Sequence, residues 1–276
     1  MTSPLISAAE LRDRLGAPDL KVLDASWHLD GTDARAAHRR GHIPGAPFFD
    51  LDAVSDQATD LPHMLPPASQ FAADMGRLGL HETDEIVVYD TVGLFSAPRA
   101  WWMLRTFGAP RARVLDGGLP AWVAAGGLLE DGEVAPTAAT FRAATEATRV
   151  VDLDQVRAAL AAGTPVLDAR GAPRFRGEAP EPRPGLRGGH MPGAINLPFA
   201  DVLTPDGRLR SPGELAGRLA AAAPEGAGPP IATCGSGVTA AILVLALEVL
   251  GREARLYDGS WAEWGARPDA PVVVGP

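Results

Sequence analysis

Cysteine is almost missing: the 276 residues contain one, Cys234. A single thiol excludes an intrachain disulfide and any zinc site built from several cysteines, and it fits a reducing compartment, with the cytoplasm as the default. Positive charge is in deficit, 25 Lys and Arg against 34 Asp and Glu for a formal net charge of −9. A sequence-independent nucleic-acid binder needs clustered cations, so that class is set aside. Long apolar runs are lacking too. The run Ala240 to Leu247 is too short to span a bilayer, and the opening MTSPLISAAELRDRL has no basic region followed by an apolar stretch, so no secretory signal and no membrane are expected. Present in quantity are hydrophobic residues, 46%, beside 21% charged, the composition of a soluble globular protein with an ample core. The 31 glycines and 26 prolines imply many turns.

The lone cysteine sits at the joint of two apolar segments. Ile231 to Thr233 follow two prolines and read as a short buried strand, and Thr239 to Leu250 is an apolar segment of helical length ended by Gly251. Between them lies CGSGV. Two glycines between a strand and a helix let successive backbone N–H groups form an anion nest at the helix's positive end, which would stabilise a thiolate. The same spacing also suits a small buried cysteine in any α/β core.

In chain order, Ser7 caps a helix AAELRDRLG and LKVLDA at Leu20 to Ala25 reads as a buried strand. A GHIPGA turn follows at Gly41 to Ala46, then a helix ASQFAADMGRLG and the strand EIVVYD at Glu85 to Asp90. A tryptophan-rich helix spans Ala97 to Phe107, and VLDGGLPAW closes the unit at Trp122. The programme then repeats: PVLDAR answers KVLDAS, GHMPGA at Gly189 to Ala194 answers GHIPGA, IATC answers VVYD, and LYDGSWAEW answers VLDGGLPAW. Four segments in the same order indicate a tandem duplication of an α/β domain, joined near Glu133 to Thr148. Alternating strands and helices predict a mainly parallel sheet with helices on both faces of each copy. Residues 1–140 and 141–276 are the expected domains. Asp90 falls where the second copy has Cys234, so only the second copy has a cysteine nucleophile.

The paired GHIPGA and GHMPGA turns, the loop CGSGVT from Cys234 to Thr239 and the closing DGSWAEW together resemble the rhodanese sulfurtransferases over essentially the whole chain. Within that family CGSGVT resembles the loop of members that act on 3-mercaptopyruvate, whereas thiosulfate-specific members carry basic residues at the two positions held here by Gly235 and Ser236. The resemblance implies two rhodanese domains, an inactive N-terminal one and a catalytic C-terminal one whose active site faces the other domain. It implies sulfur transfer by ping-pong covalent catalysis: Cys234 takes sulfur from a small-molecule donor, releases pyruvate, and passes the sulfur to a thiol, for instance of a thioredoxin-like protein, or to cyanide. The amides of Gly235, Ser236, Gly237, Val238 and Thr239 would hold the terminal sulfur's charge. Neither metal nor organic cofactor is needed.

Arg174 and Arg183, in the Pro/Gly-rich segment RFRGEAPEPRPG, match the family's substrate-carboxylate arginines, and a guanidinium fork suits a carboxylate. Arg176 between them is read as solvent-facing. His63 and Asp52 match positions proposed in the family to work with the loop serine, Ser236, in a proton relay. His42 and His190 occupy equivalent turns in separate copies without a second ligand at metal spacing, and are read as structural. The tryptophans are read as core. Three alternatives stay open or are weakened: a thiosulfate sulfurtransferase, which differs in donor and not in mechanism; a persulfide carrier without turnover; and a cysteine phosphatase, which would need an arginine where this chain has Ala240.

Overall fold

The computed structural model describes residues 3–226 and 228–276. The chain divides into two compact units. The first holds the residues up to Gln57 with Leu65–Ala147 and Pro205–Leu209, and the second holds Ala58–Met64, Thr148–Thr204 and Arg210–Pro276. Among the described residues no helix is long and apolar enough to cross a membrane.

In the first unit, β1 (Leu5–Ile6), β2 (Leu20–Asp24), β3 (Glu85–Tyr89) and β4 (Arg113–Leu115) form a parallel sheet in the order β1-β4-β3-β2. The helix Ala8–Arg14 starts where expected because Ser7 accepts a hydrogen bond from the Glu10 amide, leaving one fewer orphan N–H at the helix start. In β3 all five residues are buried, as a central parallel strand covered on both faces requires. The helix Ala97–Thr106 puts Trp101 and Trp102 in the core, and Trp122 from Gly118–Ala124 joins Ile6, Val22 and Tyr89.

The second unit repeats this plan with one more strand. β5 (Val150–Val151), β6 (Val166–Asp168), β7 (Ile195–Asn196), β8 (Ile231–Thr233) and β9 (Arg255–Tyr257) form a parallel sheet in the order β5-β9-β8-β6-β7. From β6 the chain moves outward to β7; from β8 it moves the opposite way to β9. The crevice beyond the C-terminal ends of β6 and β8 is therefore the topological switch point, where open α/β sheets bind ligands. In register, Asp168 ends β6 beside Thr233, the last residue of β8, so the loops leaving these two strands face the same crevice end. After β8 come Cys234 and then the helix Ala240–Val249, whose first eight residues are all buried.

Both GH turns are structural. His42 and His190 each donate from Nδ1 to a backbone carbonyl, of His38 and Phe175 respectively, at 2.9 Å, and each forms an antiparallel bridge to a later segment, at Glu130 and Val273. The two tryptophans of DGSWAEW, Trp261 and Trp264, are core residues of the second unit.

Candidate active site

Cys234 is buried immediately beyond β8, and its backbone is fastened at both ends. Its carbonyl accepts from the Trp261 amide at 3.0 Å, its own N–H donates to Ser260 Oγ at 3.3 Å, and Gly235 O accepts from Ala262 N at 2.9 Å. Gly237 turns the loop with φ +77°, in the left-handed region that glycine enters without steric cost. Among the described residues, the amides of Gly235 through Thr239 have no protein acceptor. Five successive unclaimed donors between a strand and a ten-residue helix suit an anion.

The first unit shows the same loop position closed by its own side chain. Asp90 is fully buried and its carboxylate accepts from the amides of Val92, Phe95, Ser96 and Ala97 at 2.8–3.0 Å. Burial pushes this carboxyl above the ordinary range despite those four donors, each of which favours the charged form. Where the second unit offers amides to an incoming anion, the first has spent them on Asp90.

His63 lies in Ala58–Met64, the segment that groups with the second unit, and its Nδ1 is 3.0 Å from Ser236 Oγ. Both side chains are buried, and His63 holds the left-handed backbone at φ +60°. That conformation is uncommon outside glycine and is held by its surroundings at a cost. Asp52 lies in the first unit, in the helix Leu51–Val54, and its Oδ2 accepts from Trp27 Nε1 at 3.1 Å.

The two candidate donor-binding arginines converge on the loop. A Cβ on Gly235 would stand 3.0 Å from Arg174 Nη2 and 4.0 Å from Arg183 Nη1. Two guanidiniums thus lie against the residue next to the cysteine, in space that a side chain at position 235 would fill. Arg176 pairs with Glu178 through two 2.8 Å hydrogen bonds at the surface.

Ser260, not singled out in the sequence, is among the described residues the other non-glycine at positive φ, +50°, and is fully buried. Its hydroxyl donates to Tyr257 O at 2.9 Å while accepting from the Cys234 amide. The first-unit equivalent is Gly118 at φ +53°. The repeat carried the signal, a serine where glycine fits more easily, but not the contact. Ser260→Ala should destabilise the protein by about 1–3 kcal/mol through the lost hydroxyl partners. Ser260→Gly should cost less, because glycine relieves a left-handed strain of about 1–2 kcal/mol. Urea unfolding of both variants checks the order; an alanine variant as stable as the glycine one would mean that the backbone there is not strained.

The rhodanese-like domain model matches residues 7–125 and 152–267. The chain belongs to the rhodanese family. This rhodanese is 44% identical over 276 residues to the 3-mercaptopyruvate sulfurtransferase of Escherichia coli K12, covering 98% of each chain. It is 41% identical to the human 3-mercaptopyruvate sulfurtransferase, covering 98% of this chain and 95% of that one. The crystal structure of SseA from Escherichia coli, described as a 3-mercaptopyruvate sulfotransferase with the rhodanese fold, superposes with a TM-score of 0.86 at 40% identity, over 94% of this chain and 99% of that one. The tandem organisation and the two parallel sheets flanked by helices are those of the family.

Proposed function

We propose that this rhodanese is a 3-mercaptopyruvate sulfurtransferase working through a persulfide on Cys234. Support comes from the full-length relatives of that name, and the observation that carries the donor choice is the convergence of Arg174 and Arg183 on Gly235. Mercaptopyruvate is a thiol joined through two carbons to a carboxylate. With that carboxylate on the guanidiniums, its sulfur has only a short reach to the neighbouring cysteine.

In the first half-reaction the Cys234 thiolate attacks the donor sulfur. The new S–S bond forms as the donor's C–S bond breaks, and the electron pair leaves on carbon as the enolate of pyruvate. That enolate needs one proton, and the donor thiol gives up one as its sulfur becomes the anionic outer sulfur of the persulfide, so the step is neutral in protons overall. With Nδ1 of His63 donating to Ser236 Oγ, the serine hydroxyl proton is available to the enolate, and the histidine restores it. Asp52 is kept as the acidic member of this relay on the strength of the family resemblance alone. The loop amides hold the charge of the outer persulfide sulfur. In the second half-reaction a thiol, such as that of a thioredoxin-like protein, or cyanide takes the outer sulfur and regenerates the thiolate. The enzyme is placed in the cytoplasm, where thiol acceptors are kept reduced.

Steady-state kinetics with excess thiol tests the assignment. A kcat/KM higher for mercaptopyruvate than for thiosulfate, over many turnovers, is expected. Preference for thiosulfate would reverse the donor, and a single turnover without recycling would make the protein a carrier.

A further inference from the structure

We propose that Glu181 is a positioning residue for donor binding, holding Arg174 in the place where it meets the substrate carboxylate; this rests on the assignment of Arg174 to donor binding made above. Glu181 has a side chain only 2% exposed, and it joins two arginines at once. Its Oε1 accepts from Arg170 Nη1 at 2.8 Å, and its two oxygens take Arg174 through Nε at 3.3 Å and Nη2 at 2.5 Å. Arg174 keeps 24% of its side chain exposed and lies against Gly235, whereas Arg170 is wholly buried.

Arg170 is what makes Glu181 rigid. Its guanidinium lies 4.2 Å over the Trp261 ring and donates to Asp168 and to Gly189 O. Burial works against its charge, yet Asp168 and Glu181 outweigh that and hold its pKa above the ordinary value. Charges therefore alternate from the end of β6 to the loop: Asp168, Arg170, Glu181, Arg174. The donor carboxylate is the next sign in the series. The fork of Arg174 that faces Glu181 uses Nε and Nη2, and among the described residues Nη1 has no protein partner. A long side chain with rotamer freedom is thus fixed before the donor arrives, which lowers the ordering cost of binding.

The chain of charges belongs to the cysteine-bearing copy. Where the second unit has Arg170 two residues after Asp168, the first has Ser26 two residues after Asp24, and there the serine hydroxyl donates to Asp24 at 2.5 Å. The aspartate at the strand end is common to both copies; the arginine that extends it toward the loop is not. Asp24 also pairs with the buried His38 through Nδ1 at 3.1 Å, so a partner for the strand-end aspartate is common to both copies, and what belongs to the second is the continuation through Glu181 to an arginine against the loop.

Glu181→Gln tests the proposal because an amide keeps the shape but offers one oxygen and one NH2. The NH2 cannot accept from a guanidinium, so one of the two arginines loses its hold, and the exposed Arg174 has the freer escape. Two opposite effects then compete. Loss of a negative charge near the donor would tighten binding of any anion, while loss of a fixed guanidinium would loosen binding of the one donor that uses it.

The full chain is assayed with mercaptopyruvate as wild type, Glu181→Gln, Arg174→Ala and the double variant. Glu181→Gln is expected to raise KM about tenfold with kcat changed less than about twofold, and to change KM less than about twofold once Arg174 is alanine. Additive losses in the double variant, a lower KM in Glu181→Gln, or a KM unchanged beside a lowered melting temperature would overturn it. If Arg174→Ala itself leaves KM unchanged, the donor clamp fails first and the positioning role falls with it, a pattern distinct from the others. Should Glu181→Gln not yield folded enzyme, Glu181→Asp, which keeps the charge but falls a methylene short of spanning both arginines, carries the same cycle with the same expected non-additivity.

Discussion

Cys234→Ser is expected to abolish sulfur transfer with every donor and every acceptor. The chain has no other thiol, and a serine hydroxyl at this position is neither ionised nor matched to attack on sulfur. The surrounding loop gives no second route: Ser236 is bound to His63, and Cys234 itself is buried against Ser260 and Trp261. The substitution exchanges one buried small side chain for another, so the fold should persist. Turnover of mercaptopyruvate and thiosulfate, each with cyanide and with a small thiol as acceptor, is the measurement. Residual activity above the level of a denatured control in a folded Cys234→Ser protein would mean that the sulfur travels by another path.

The next largest effect is expected from Arg174→Ala and Arg183→Ala. Each should cut kcat/KM for mercaptopyruvate by roughly tenfold to a hundredfold, the loss of one charge-assisted contact of about 1.5–3 kcal/mol. Thiosulfate should lose less. It is compact and has no carboxylate extending from its reacting sulfur, so it draws on the positive field of the two guanidiniums but not on their fork geometry. The position of the pair sharpens this expectation. The family resemblance implies basic side chains in thiosulfate-specific members at the two positions held here by Gly235 and Ser236. In this chain the space beside Gly235 is taken by Arg174, 3.0 Å from where a Cβ would stand. The cationic charge near the nucleophile therefore comes from the segment after β6 rather than from the loop. Equal losses on both donors would mean that the arginines act only as a field, and the donor assignment would need revision while the persulfide chemistry stood.

Much of this architecture was legible in the residues because local signals agreed. Ser7 capped its helix as expected, and Ile231 to Thr233 formed the strand that delivers Cys234. The buried run after the loop became the helix Ala240–Val249. The internal repeat was the strongest guide, since equivalent segments took equivalent roles: Gly118 and Ser260 share a left-handed backbone, and Asp90 and Cys234 open equivalent loops. What the sequence did not disclose is what depends on distant segments meeting. His63 reaches Ser236 across 173 positions, and no local pattern encodes that pairing. The segment Ala58–Met64 groups with the second unit although it lies well inside the first half of the chain. In the sequence Glu181 is one of several charges in the segment from Arg174 to Gly185, and only the fold shows it lodged between Arg170 and Arg174. Arg170 left a trace as the one position where PVLDAR gains a charge over KVLDAS, but a replacement alone does not say whether it faces solvent or a carboxylate.

In the proposed reaction the donor's sulfur rests covalently on Cys234 while pyruvate departs. Mixing the enzyme with mercaptopyruvate in the absence of any acceptor, then measuring intact mass and released pyruvate on the same sample, tests it most directly. One sulfur added per chain, one pyruvate released per sulfur added, and removal of that sulfur by cyanide are the predicted results. Neither the added mass nor the pyruvate burst should occur in Cys234→Ser. Pyruvate released without added mass on the wild type, or added sulfur persisting in Cys234→Ser, would contradict it.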